Sequence, residues 1–216
     1  MAIELTKQDP SLLTPFTRAI TGWLAPRAPL WLTPNRVTVG GLYMLFMASI
    51  AFCLARFSTL WLLVAVVGLS IHWISDALDG EIARLRRLTS EQGFYLDLLA
   101  DCVGLTALAI GAAVSGLVQP VLALLAIVMF LLKVVQSMLH FVLRQRFPMG
   151  RVGPTEAQFA AVFLTLLLIP FAHPVVYVQQ FPLTLLDVGI VVVLFATAVE
   201  QTLHSICFYQ QLAPPA

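Results

Sequence analysis

From Cys102 to Leu132 the chain runs for 31 residues without a charged side chain, and three more such runs cover 37–55, 57–75 and 157–186. A helix needs about 20 apolar residues to cross a bilayer, so each run is long enough to be a span. Water cannot host this surface either: 60% of the 216 residues are hydrophobic and 11% charged, against roughly 25% charged in an ordinary soluble domain. A soluble globular domain, a disordered chain, a collagen-like chain and a basic nucleic-acid-binding domain are all excluded, so no nucleic-acid partner is expected. The formal net charge of +1 points to no partner. Cys53, Cys102 and Cys207 lie far apart inside apolar runs and read as small buried residues, not as a disulfide framework or a metal-ligand set.

The interruptions divide these runs into helices. Arg56 with Ser58 marks a turn between the first two spans, and Gln119-Pro120 splits the 31-residue run into helices near 97–118 and 121–143. Pro170, His173, Pro174 and Pro182 break the last run into a span near 155–170, a short polar-face connection and a span near 184–208. The expected fold is an all-α polytopic membrane protein with six transmembrane helices. Basic residues then set its orientation. Lys7, Arg18, Arg27 and Arg36 precede the first span, Arg84, Arg86 and Arg87 follow the second, Arg144, Arg146 and Arg151 follow the fourth, and the other side has Arg56 alone. Both termini and the loops after spans two and four are expected in the cytoplasm, with a bacterial inner (cytoplasmic) membrane as the location.

Ahead of the spans, Leu12, Leu13, Phe16, Ile20, Trp23 and Leu24 recur at helical spacing opposite Thr14, Thr17, Arg18 and Thr21. Asp9-Pro10-Ser11 reads as a start signal and Pro26 as a stop. This is the pattern of a helix lying in the membrane interface, not of a cleavable signal peptide. The expected organisation is an amphipathic juxtamembrane segment over 1–34, a six-helix transmembrane catalytic domain over 35–208 and a short tail over 209–216.

Chemistry concentrates between Asp76 and Asp101. Asp76 and Asp79 are three apart, and Asp97 and Asp101 four apart, so each pair shares a helix face. Gly80 and Ala83 lie on the stripe of Asp76, and Gly93 on that of Asp97 and Asp101, where small residues let a backbone or ligand approach. Residues 85–92 read as the reversal between two antiparallel helices, which brings four carboxylates together near the cytoplasmic end. An aspartate deep in a bilayer costs about 2.5–3.5 kcal/mol on insertion scales, so the four must face one another or a polar cavity. Hard oxygen donors in that number suit one or two Mg²⁺, Mn²⁺ or Ca²⁺ ions.

The spacing Asp-x₂-Asp-Gly-x₂-Ala-Arg-x₈-Gly-x₃-Asp-x₃-Asp, spanning 26 residues, resembles the signature of the CDP-alcohol phosphatidyltransferase family. Thr33-Pro34-Asn35-Arg36-Val37-Thr38 also looks like that family's N-terminal segment. The resemblance implies a metal-dependent transferase of phospholipid synthesis that moves a phosphatidyl group from CDP-diacylglycerol to an alcohol and releases CMP. It implies metal ligation by Asp76, Asp79 and Asp97 using Mg²⁺ or Mn²⁺, two ions in all. Asp101 is implied as proton acceptor with a share in the metal. The cytidine and diphosphate would be held by Asn35, Arg36, Val37, Thr38, Gly80, Ala83 and Arg84, with Ser90 and Gly93 beside them. Implied partners are a CDP-linked lipid donor, a small or lipid alcohol, membrane lipids and a second copy of the chain in a homodimer. A CDP-choline or CDP-ethanolamine donor with diacylglycerol as acceptor keeps the same chemistry. A divalent-cation transporter and a non-catalytic scaffold are the readings from other classes.

Outside the motif, Lys133 within span four, with Arg144 and Arg151 in the next cytoplasmic turn, are candidates for an anionic acceptor. Gly153-Pro154-Thr155-Glu156 reads as a helix start. His72, one turn before Asp76, and His140 are candidate pocket residues, whereas His173 and His204 read as packing or interfacial. Glu200 is expected to bond another helix. Trp23, Trp31, Trp61 and Trp73 read as interface anchors.

Overall fold

The computed structural model describes residues 14–144, 154–170, 176–178 and 181–212, with side chains for 15–143, 158–170 and 183–210. Its helices are α1 (Thr14–Leu24), α2 (Pro34–Ala55), α3 (Trp61–Leu85), α4 (Glu91–Ser115), α5 (Pro120–Arg144), α6 (Pro154–Leu168) and α7 (Leu185–Leu212). Two three-residue strands, β1 (Val176–Val178) and β2 (Phe181–Leu183), pair antiparallel in the connection between α6 and α7. The β-branched Val-Tyr-Val run supplies the strand preference that a reading by prolines alone passed over. The described residues are otherwise in helices and the short turns that join them.

Among the described residues, α2, α3, α4, α5 and α7 are long and apolar enough to cross a membrane. The α6 helix is apolar but has only 15 residues. The outward faces carry large apolar side chains, among them Val67, Ile110, Leu132 and Phe195 at 52%, 60%, 52% and 72% exposure. Such surfaces are stable only against lipid, and the chain is an integral membrane protein.

The helices close into a ring. The α2 helix touches α3 and α4, α3 also touches α6, α4 also touches α5, and α7 touches both α5 and α6, while α1 packs on α3. Close approach is greatest among α2, α3 and α4, where small residues face one another. A Cβ at Gly68 would lie 2.8 Å from the Met44 carbonyl oxygen, and Ser49 Oγ donates to the Ala107 carbonyl at 2.6 Å. Leu45, Ala48, Ala51, Phe52, Leu62 and Ala65 form the apolar centre beneath the site.

Caps set the lengths. Ser90 opens α4 by accepting the Gly93 N–H at 3.0 Å, and Gly116, at φ 74°, ends the connection side of the same helix. The helix therefore begins at Glu91, before the expected 97, and the reversal after α3 is correspondingly tight, with Arg87 at φ 55°. Thr184 and Asp187 form a reciprocal cap at the start of α7: Asp187 N–H donates to Thr184 Oγ1 at 3.2 Å and Thr184 N–H to Asp187 Oδ2 at 2.9 Å. Asp187 Oδ1 also accepts the Gln119 N–H at 2.8 Å, which ties α7 to the α4–α5 turn.

At the N-terminal side, α1 is a helix with Pro26 in the 3₁₀ turn that follows it. Residues 1–13, including Leu12, Leu13 and the Asp9-Pro10-Ser11 signal, lie outside the described residues. One expected anchor is corrected: Trp73 is 8% exposed and packs between Phe16 of α1 (6.0 Å, stacked) and Phe159 of α6 (5.8 Å, edge-on), because its face of α3 is covered by both helices. Trp23, Trp31 and Trp61 are exposed. Cys207 is likewise exposed, since α7 turns that face away from its neighbours; Cys53 and Cys102 are half-buried.

Candidate metal and substrate site

The last turns of α3 and the first turns of α4 carry the motif carboxylates, both helices pack on α2, and the carboxylates meet in one cleft beside it. Asp76, Asp97 and Asp101 each offer an oxygen, and these oxygens all lie within 4.8 Å of one another. They line a small cleft with Thr38, Gly41, Leu42, His72, Asp79 and Ala100. Three negative charges this close repel on the order of 3–4 kcal/mol per pair at an effective dielectric of 20. An all-oxygen donor set of that charge fits a hard dication, Mg²⁺, Mn²⁺ or Ca²⁺, and contains no soft ligand that favours zinc.

Asp79 occupies the same cleft under a different constraint. It is 6% exposed, and its Oδ2 accepts from Thr38 Oγ1 of α2 at 2.5 Å. Thr38 thereby fastens α2 to the motif helix. His72 is buried one turn before Asp76, and its Nε2 lies 3.9 Å from Asp101 Oδ1. A Cβ at Gly41 would come within 3.4 Å of His72 Nδ1, so α2 backs the imidazole closely.

The remaining motif residues frame the entrance. Asn35 stands in the first turn of α2, and a Cβ at Gly93 would lie 3.4 Å from Asn35 Oδ1 and 3.2 Å from Ser90 Oγ. The absent side chain at Gly93 lets the starts of α2 and α4 meet. Ser90 is engaged as the α4 cap. Arg84 is exposed, donates to Glu81 Oε2 at 2.7 Å and extends over Gly80, whose added Cβ would be 3.6 Å from Arg84 Nη1. Ala83 is half-buried on the same turn. Arg36 Nη1 donates to the Trp31 carbonyl, and Val37 is buried against Ala25 and Ile82. Arg86 binds the Leu32 carbonyl at 2.9 Å and the Ala28 carbonyl at 2.5 Å, so the end of α3 holds the segment that leads into α2.

Lys133 lies roughly level with Asp101, since α4 and α5 are antiparallel neighbours. Its Nζ is 3.5 Å from Glu200 Oε2 of α7, which is the interhelical bond expected of Glu200. His140 stacks on Phe208 at 3.6 Å. Arg146, Arg151 and His173 lie outside the described residues, as do the side chains of Arg144, Thr155 and Glu156.

Sequence reading missed Gln158. Its Nε2 donates to Asp76 Oδ2 at 3.3 Å and lies 3.3 Å from His72 Nε2. The available signal was an amide in an otherwise apolar helix, where a polar side chain needs a partner.

The motif spacing, the six-helix ring and the convergent carboxylates occur together within residues 31–203, and that segment matches the family model for CDP-alcohol phosphatidyltransferase. The chain belongs to this family. As a CDP-alcohol phosphatidyltransferase family member it is similar to cholinephosphotransferase 1 of Gallus gallus, at 32% identity over 111 residues, covering 49% of this chain and 33% of that protein. Cholinephosphotransferase 1 of Rattus norvegicus is 31% identical over 169 residues, 73% of this chain and 42% of the relative. Archaetidylinositol phosphate synthase of Pyrococcus horikoshii is 33% identical over 92 residues, 43% and 46% of the two chains. This family member thus spans less than half the length of these curated relatives.

Proposed function

We propose that the chain transfers a phosphatidyl group from CDP-diacylglycerol to the hydroxyl of an alcohol acceptor and releases CMP, in phospholipid synthesis. The observation that carries this reading is the convergence of Asp76, Asp97 and Asp101 oxygens within 4.8 Å inside a membrane-embedded bundle that bears the family signature. Asp76, Asp79 and Asp97, with a share from Asp101, would hold Mg²⁺ or Mn²⁺, as one ion or a pair. Bound there, a dication neutralises charge on the non-bridging oxygens of the donor diphosphate and orients it.

The chain's own groups supply the rest. Asp101 takes the proton of the acceptor hydroxyl as that oxygen bonds to the phosphorus bearing diacylglycerol. The bond from that phosphorus to the bridging oxygen breaks in line, and CMP leaves with the electron pair. Asn35, Arg36, Val37, Thr38, Gly80, Ala83, Arg84, Ser90 and Gly93 form the donor side; an arginine fork such as Arg84 gives a phosphate fixed donors. Lys133, with Arg144 and Arg151, serves the acceptor side.

The wider arrangement belongs to the same proposal. Six spans, with α6 as the short one, run through a catalytic domain over 35–208, between an interfacial segment over 1–34 and a tail over 209–216. Both termini and the site face the cytoplasm of a bacterial inner membrane, and the chain works as a homodimer. The donor's nucleotide stays in water while its acyl chains remain in lipid.

The named vertebrate relatives favour a second reading, in which CDP-choline or CDP-ethanolamine is the donor and diacylglycerol the acceptor. Lipid products formed from radiolabelled CDP-diacylglycerol and from radiolabelled CDP-choline, each supplied to purified protein with Mg²⁺, separate the two. Product from CDP-choline plus diacylglycerol alone selects the second.

A further inference from the structure

The carboxylate cluster is contributed by α3 and α4, yet one polar group from α6 reaches it. Gln158 Nε2 carries two hydrogens, with Asp76 Oδ2 and His72 Nε2 each 3.3 Å away. The imidazole stands in turn 3.9 Å from Asp101 Oδ1. A carboxamide donates without ionising, so it engages Asp76 and adds no charge to a crowded site. With Oδ2 held by the amide, Asp76 keeps Oδ1 for a cation.

The amide is itself held in place. Trp73 and Phe159, the sequence neighbours of His72 and Gln158, pack edge-on at 5.8 Å and set the register of α3 against α6. Behind His72, Gly41 brings the α2 backbone close to the ring. The imidazole is thus bounded by α2 on one side and the amide on the other.

We propose that Gln158 is a positioning residue for the metal site: its amide orients Asp76 directly and holds the His72 ring that lines the same cleft. This makes α6 the fourth helix at the site, beside α2, α3 and α4. Hydrogen-bonding partners of metal ligands typically govern affinity by 10–100-fold. The proposal rests on the metal-site reading above, so its test reads metal binding directly.

Mn²⁺ binding to the purified full chain in detergent is followed by electron paramagnetic resonance of free Mn²⁺, beside the Mn²⁺ concentration that gives half-maximal CMP release. Gln158→Met keeps the side-chain length and removes the donor. It is expected to weaken Mn²⁺ binding about 10–100-fold, with the metal-free melting temperature near wild type. Gln158→Asn, which keeps a shorter amide, is expected to fall between the two. Wild-type Mn²⁺ affinity in folded Gln158→Met overturns the proposal. Should Gln158→Met not fold, wild-type affinity in Gln158→Asn overturns it. Absence of Mn²⁺ binding by the wild type instead removes the metal-site reading on which the proposal stands.

Discussion

Asp79 takes its hydrogen-bond donor from α2, whereas Asp76 takes one from α6. Thr38 Oγ1 at 2.5 Å holds Asp79 against α2, and both residues are buried. Thr38→Val leaves the Asp79 carboxyl buried without that donor, a loss of about 1–3 kcal/mol for an unsatisfied buried polar group. Thermal unfolding in detergent is expected to show the drop. At Asp101 the effect belongs to rate: Asp101→Asn removes the proton acceptor and is expected to lower CMP release by roughly 10²–10⁴-fold, with the melting temperature little changed. The four aspartates were legible in the sequence because each is a charged residue at helical spacing among apolar ones. Gln158 was not, because one amide in an apolar helix looks the same whether it meets a carboxylate or a backbone carbonyl. Trp73 was misread for a related reason: an aromatic near a span end is an interface anchor unless tertiary packing covers it, and α1 and α6 do so here.

Helix boundaries depend on local chemistry that the charge-free runs only partly report. Gln119 and the Arg56–Ser58 turn fall between the observed helices, and Pro120 opens α5, close to where the sequence suggests. The start of α4 lies earlier because Ser90 caps it, and the β1–β2 pair depends on a tertiary setting that proline counting misses. Asp187 shows how much one such residue fixes: it is 1% exposed, closes the α7 cap and receives the Gln119 N–H from another turn. Asp187→Ala is expected to cost at least the 0.5–2 kcal/mol of a lost cap, with a further loss for the unpaired Gln119 N–H. Packing of α2 against α3 is equally specific. Gly68→Ala places a Cβ against the Met44 carbonyl, which is backbone and yields little, so a destabilisation of about 1–3 kcal/mol is expected. Both are measured as shifts in the unfolding midpoint.

The molecule as a whole places charge where lipid cannot tolerate it and then closes helices around it. The ring order α2–α3–α6–α7–α5–α4 followed from neither hydropathy nor spacing, since side-by-side order is a property of packed faces. What the sequence did carry was the class of surface, the approximate spans and the convergence of carboxylates at one reversal. The proposed chemistry then requires a dication for any turnover. Chelation by EDTA is expected to abolish CMP release, with Mg²⁺ or Mn²⁺ restoring it, while a transporter would move Mn²⁺ into liposomes without forming CMP.

The most direct measurement is CMP release from CDP-diacylglycerol by the purified protein with Mn²⁺, across a panel of alcohol acceptors, beside Asp101→Asn. The account predicts release that depends on one acceptor and is lost in the variant. Folded, Mn²⁺-loaded protein that releases no CMP with any acceptor, or an Asp101→Asn variant as active as wild type, would contradict it.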